Sequence, residues 1–529
     1  MSDKHSAQNQ NSFFGGAAVL AAGILIVKVI GAIYKIPIVN VLGSSYADFQ
    51  NAYYIYALLL VVSTAGLPVA LSKMVAAANA RGQEQQVQKI FRVSMAVFFT
   101  LGFASFLFMF FGAEWLAELL NDPLAAKSIR YLSPAVLCVG CLSSFRGYAQ
   151  GHSNMVPTAV SQIIEALCKL VFGLSLAILA LRMGKSGDTA AAMAIVGVTI
   201  GSALALVYMA LQYWRNRRIP RTKEMPAPAS TILKELMAIA VPVTLTSAAT
   251  GIINLIDTSL VQGRLQDALG MTLEQSRTLF SAYSGVNTLY NVPASLFVAI
   301  TASIIPAVSS RLAREDHAGA AQVVRSAFKV TALAVLPMGV GLSVLSEPIV
   351  ALVFKSLDAE LSGKMLGVMG FAAIFVCLMT VSNSILQAYG HQKFPVYLMI
   401  GGGIIKVIVN YTLVGIPSIN IHGAPFGTVC CFSFAAIADL IFIRRIVPER
   451  PRYVQLFARP ILATALMAVA AKGSYTMLAG LGNSIATVLA IGIAVVVYAI
   501  AVVLFRCISR EDLLLMPKGK KIADLLRLP

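Results

Sequence analysis

Apolar runs of membrane-spanning length dominate this chain. A hydrocarbon core about 30 Å thick needs about 20 apolar residues per helix, and about fourteen such runs can be counted. They start near Phe13, Asn51, Ile90, Leu124, Val156, Ala190, Ile232, Leu279, Val323, Leu366, Pro395, Ala424, Phe457 and Ile485. The runs are continuous rather than alternating, which argues against a strand-built barrel. Hydrophobic residues make up 58% of the 529 residues and charged residues only 12%, more apolar surface than a soluble core can hide. The expected fold is an all-α polytopic membrane protein.

The basic residues set its orientation. Most of the 41 Lys and Arg fall in the even-numbered loops and the two tails, the bias that marks cytoplasmic segments. Both termini are therefore expected inside. The net charge of +18 then reports insertion and attraction to anionic lipid rather than binding of nucleic acid. The polar first twelve residues lead into a run that carries Lys28 and lacks a clear small-residue cleavage site, so it reads as a retained helix. All seven cysteines sit within or at the ends of apolar runs. Cys138 and Cys141 form a C-x-x-C with no second pair and no histidine at ligand spacing, so helix packing is the reading and no metal is expected.

Two internal echoes divide the chain. In SSFRGYAQGHSNMVPTAVSQIIEALCKLVFG, Ser143 to Gly173, two apolar runs break at Gly151-His152 and restart at Pro157. In SNSILQAYGHQKFPVYLMIGGGIIKVIVNY, Ser382 to Tyr411, the break is Gly390-His391, the restart is Pro395, and Lys406 stands where Lys169 stood. Independently, Pro68 precedes Ser72 and Lys73 as Pro306 precedes Ser310 and Arg311. Both echoes lay helices one to six over helices seven to twelve, and units that begin and end on the same side are parallel repeats. The expected organisation is an N-lobe over 1–214, a basic proline-rich cytoplasmic linker over 215–230 and a C-lobe over 231–455. An apolar helix pair over 456–507, suited to lipid contact, and a basic tail over 508–529 complete it.

Charges at membrane depth are costly and mark functional candidates. Lys28 and Lys35 lie about two turns apart on one face of helix one; each could line a cavity, and Lys35 could instead snorkel to the interface. Arg146 lies in helix four. Glu165 and Lys169 are an i,i+4 pair in helix five, either mutually neutralised or facing a cavity. Asp257 lies in helix seven, Asn287 and Asn291 belong to a polar stripe on helix eight, and Lys406 lies in helix eleven. Basic residues outnumber acids at depth, which points to a cationic pocket for an anionic ligand. No P-loop is present, because Gly184-Lys185-Ser186 has Leu179 where the upstream glycine belongs. No H-E-x-x-H or G-x-S-x-G occurs and the outer loops are short, so an enzyme is not expected.

The paired lobes, the basic linker and the repeated glycine-then-proline turn resemble the MOP superfamily of exporters. RGYAQGHSNMVPTAVSQIIE, AGLPVALSK and LQAYGHQKFP are similar to its polysaccharide-biosynthesis branch, which includes stage V sporulation protein B and the MurJ-type lipid II flippases. The resemblance covers essentially the whole chain. It implies an alternating-access transporter in a bacterial cytoplasmic membrane, moving an undecaprenyl-pyrophosphate-linked glycan from the inner to the outer leaflet. Lys28, Gly31 and Lys35 are similar to a basic pair flanking a glycine in MurJ-type helix one, and Asp48 to an acid at the start of helix two. Where those proteins carry an arginine before the helix-eight proline, this chain has Asn287, Leu289 and Asn291, leaving Lys169, Arg146 or Lys406 to supply the charge.

With no nucleotide site and no cofactor expected, a membrane potential or coupling cation would reset the cycle. The implied partners are the polyprenyl-linked glycan, membrane lipids and cell-wall synthesis enzymes. Three other readings stay open: a flippase for another polysaccharide unit, a cation or multidrug antiporter, and a non-transporting scaffold for cell-wall or spore-cortex synthesis. The antiporter would call for acids in the majority at depth. The scaffold would make the linker essential and the buried charges dispensable.

Overall fold

The computed structural model describes residues 23, 26–64, 66–152, 154–216, 225–312 and 314–507. The N-terminal tail, half of the basic linker (217–224) and the tail 508–529 lie outside the described residues. Every regular element among the described residues is helical, as the continuous apolar runs imply. Eleven of the described helices are long and apolar enough to cross a membrane. One of them, Ile26–Val61, takes in the later part of the first run and the start of the second.

The chain packs as two compact units, the first ending at Ser281 and the second beginning at Ala282. The first unit holds α1 (26–42), α2 (Tyr46–Thr64), α3 (Leu67–Ala80), α4 (Glu84–Phe111), the short α5 (Ala113–Leu119) and α6 (Ala125–Gly151). It continues through α7 (Val156–Cys168), a π-helical turn at Lys169–Gly173, α8 (Leu174–Arg182), α9 (Gly187–Asn216) and α10 (Ala229–Asp267). Helix α11 (Leu273–Leu312) begins in the first unit and continues in the second. The second unit adds α12 (His317–Val344), α13 (Ser346–Val353), α14 (Ala359–Ala388), α15 (Phe394–Val414) and α16 (Gly423–Ile446). It closes with the pair α17 (Tyr453–Leu478) and α18 (Asn483–Leu504).

The repeat boundary read from the sequence precedes α10, whereas α10 packs against α2, α3 and α4 in the first unit. The cause is visible in the core: Ile232, Leu236 and Ala240 of α10 are buried with Leu67, Leu71 and Val75 of α3 and with Phe98 of α4. The second unit has its own core, in which Phe328 of α12, Cys377 and Ile385 of α14 and Ala436 and Ile443 of α16 are buried together.

Local chemistry explains the first echo. Pro157 and Pro395 each sit at the opening of their helix, α7 and α15, where a missing N–H costs nothing and a fixed φ favours the helical turn. Gly390 adopts φ of +82° after α14, the left-handed region where a Cβ is penalised and glycine is not. The second echo divides. Pro68 opens α3 after a break in the chain's second span, while Pro306 lies inside the unbroken α11.

Candidate functional site

The first unit holds the charged residues of helices one, two, four and five, in two separate settings. Lys28 is exposed on α1 and Lys35, two turns on, is half-buried. Lys35 stands close enough to Lys169 and Lys28 for both charges to act on it. Lys169 opens the π-helical turn, and its Nζ lies 4.4 Å from the Tyr53 ring centroid, 5.0 Å from that of Tyr34 and 5.8 Å from that of Phe49. Aromatic faces attract a cation through their quadrupole, by about 0.5–2 kcal/mol depending on desolvation. Such a cage helps an ammonium remain charged away from bulk water and leaves its N–H donors for a ligand.

Of the two readings of Glu165 and Lys169, the mutual pair is not formed among the described residues. Glu165 pairs instead with Arg146 Nη2 of α6 and accepts from Ser202 Oγ of α9 at 3.3 Å, while Arg146 Nε donates to Ser161 Oγ at 2.9 Å. The backbone between them keeps its α register, the Lys169 N–H bonding the Glu165 carbonyl, and the π turn begins only at Lys169; it is the competing partners that separate the two side chains. The turn is seated on α9: a Cβ on Gly197 would come within 2.3 Å of the Gly173 backbone nitrogen. Only a residue without a side chain permits that approach. With Glu165 engaged by Arg146, the three lysines give this region a net positive charge.

Asp48 has a different setting. It is fully buried, and Arg277 near the start of α11 grips it through Nε to Oδ1 at 2.9 Å and through Nη2 to Oδ2. Arg277 Nε also stands 3.6 Å from Asp122 Oδ1. Asn51 donates to Asp122 Oδ2 at 2.8 Å, and Gln262 of α10 donates to Asn51 at 3.1 Å. This is a sealed ion cluster joining α2, the α5–α6 loop, α10 and α11 within the first unit. Arg277 is buried here. Asp122, Arg277 and the three aromatic residues around Lys169 were missed. Asp48 and Asn51, three apart on one face of an apolar helix, were a signal that a buried cation must come from elsewhere.

The remaining candidates are distributed. Asp257 is buried on α10 in the first unit. In the second unit Lys406 and Asn410 are buried on α15, and Tyr283 and Thr428 are joined by a hydrogen bond of 3.3 Å. Asn287 is half-buried on α11, whereas Asn291 is exposed and its amide donates to the Asn287 carbonyl at 2.6 Å.

A family model described as polysaccharide biosynthesis protein matches residues 13–312. The chain belongs to that family. A MatE model matches residues 242–412, and together these place the family member in the polysaccharide branch of the MOP superfamily. It is 29% identical over 475 residues to the lipid II flippase MurJ of Bacillus subtilis (strain 168), covering 86% of each chain. It is 23% identical over 527 residues to stage V sporulation protein B of the same organism, covering 96% of this chain and 98% of that one. A solved structure of lipid II flippase MurJ in an inward closed conformation superposes with a TM-score of 0.70 at 15% identity, over 92% of this chain and 98% of the other. This family member is thus a multi-pass protein of the cytoplasmic membrane with a transporter's fold.

Proposed function

We propose that the protein is an alternating-access flippase that carries an undecaprenyl-pyrophosphate-linked cell-wall glycan precursor, of the lipid II kind, from the inner to the outer leaflet. The observation that carries this reading is the group of Lys28, Lys35 and Lys169 in one unit of a membrane protein, with Glu165, the acid one turn before Lys169, taken up by Arg146. A pyrophosphate offers the matching charge and several acceptor oxygens, and charge-assisted hydrogen bonds to it are about twice as strong as neutral ones. Lys169, held by its ring cage, would supply a fixed donor, while the exposed Lys28 and half-buried Lys35 adapt to the head group. The apolar faces of α17 and α18 would accompany the polyprenyl tail. Resetting would draw on a membrane potential or a cation gradient. The relation to a lipid II flippase over most of both chains supports the substrate class.

Complementation tests the reading. The chain is expressed in a bacterium depleted of its own lipid II flippase, and lipid II exposed on the outer leaflet is measured. Restored growth with restored exposure is expected. A folded, membrane-inserted protein that restores neither would move the substrate to another polyprenyl-linked glycan or favour the scaffold role.

A further inference from the structure

A second cationic site lies in the second unit, away from the lysines of the first. Where α12, α16, α17 and α18 come together, a cavity of about 700 Å³ is lined by Arg325, Arg444, Arg450, Arg452, Arg459 and Arg506 among others. Its one lining acid among the described residues, Glu449, is already engaged by Arg325 at 2.6 Å. Arg459 Nη1 donates to the Arg506 carbonyl at 3.2 Å, which ties α17 to the chain leaving α18. Arg444, Arg450 and Arg452 have no carboxylate partner among the described residues.

Insertion topology accounts for basic residues on this side of the membrane. It does not account for Arg325 and Arg506 joining the arginines of the 444–459 stretch around one concavity. Arginine is also the side chain whose planar fork fits phosphate oxygens two at a time. Directly beside the cavity, α17 and α18 turn large apolar side chains outward, Leu462 being 57% and Ile500 61% exposed. A cationic pocket at one end of helices whose flanks suit acyl chains is the arrangement that holds an anionic lipid by its head group.

We propose that this cavity binds the phosphate-bearing head group of an inner-leaflet lipid, its hydrocarbon lying along α17 and α18. Bulk anionic phospholipid and the polyprenyl carrier share that chemistry, and the test separates them. The full chain, purified in detergent, is titrated with dioleoyl phosphatidylcholine, dioleoyl phosphatidylglycerol and undecaprenyl pyrophosphate, and bound lipid is counted by native mass spectrometry. The same titrations are run on Arg444→Gln/Arg452→Gln/Arg459→Gln and on the corresponding triple lysine variant.

Removal of three cationic side chains from the head-group cavity is expected to weaken anionic-lipid binding at least about tenfold. Phosphatidylcholine binding should not change, and the lysine variant should stay close to wild type. The lipid that loses more affinity in the glutamine variant is the natural occupant. Should that variant fail to fold, the wild type serves alone, because inorganic pyrophosphate must then displace the bound anionic lipid. The proposal is overturned if a glutamine variant of wild-type melting midpoint binds the anionic lipids as the wild type does, or if pyrophosphate displaces nothing. The assay reads head-group binding without translocation, so it stands whichever glycan the chain moves.

Discussion

Arg277→Met should be among the most damaging single substitutions in the first unit. The guanidinium is 2.9 Å from Asp48 Oδ1 and 3.6 Å from Asp122 Oδ1, and both carboxylates are fully buried. At an effective dielectric constant of about 20, a unit pair at the longer of those distances attracts by about 5 kcal/mol. Desolvation offsets much of that gain, so the intact cluster contributes little net stability. Breaking it is another matter, since two uncompensated buried carboxylates cost about 3–5 kcal/mol. Asp48→Asn leaves Arg277 with Asp122 and should cost about 1–3 kcal/mol. The triple variant Asp48→Asn/Asp122→Asn/Arg277→Met removes all three charges and should recover most of the loss. Thermal melting of the detergent-purified protein, followed by size-exclusion profile, gives the ranking. A single Arg277→Met variant that melts with the wild type, or a triple variant no better than the single one, refutes the argument.

Asp122 lies in the α5–α6 loop, where burial pushes its carboxyl up while Arg277 and Asn51 pull it back. With its folded value above the unfolded one, the folded chain holds the proton more tightly, so stability falls as pH rises between the two values; Asp122→Asn should flatten that part of a melting-versus-pH profile. Gly197→Ala would put a methyl within 2.3 Å of the Gly173 backbone nitrogen, an overpacking cost of about 1–3 kcal/mol that should appear as a lower melting midpoint. Lys28→Ala and Lys169→Met should each abolish transport in the complementation assay at unchanged protein level, and normal transport would remove that lysine from the head-group site. Asp439 of α16 is fully buried with no hydrogen-bond partner for either carboxylate oxygen among the described residues, so Asp439→Leu should leave melting unchanged or raise it.

What could be read from the sequence was local. Pro157 and Pro395 announced helix openings because a ring-locked φ acts on its own neighbours, and Lys28, Arg146, Glu165 and Lys169 stood out because charge is rare in apolar runs. What escaped was partnership. Arg277 reaches Asp48 across 229 positions, and nothing within either segment names the other. Glu165 and Lys169 are one α turn apart, yet Glu165 pairs with Arg146 of α6 and Lys169 lies against the rings of Tyr34, Phe49 and Tyr53. The Pro68 and Pro306 echo shows the same limit from the other side. Similar residues at similar spacing open a helix in one copy and lie within one in the other.

The π-helical turn is, in effect, a helix accommodating one residue more than its α register allows. Such a surplus residue weakens the local hydrogen bonding and is retained mainly where it re-aims a side chain. Shortening Lys169–Gly173 by a single position would therefore give a more regular helix, with the residues on one of its sides rotated by about 100° relative to those on the other. Among related chains, segment length would then be as informative as residue identity. A relative that keeps the lysine but lacks the surplus residue would hold it in a different rotational relation to the helix beyond, and a sequence comparison scoring only matched letters would count the two sites as the same.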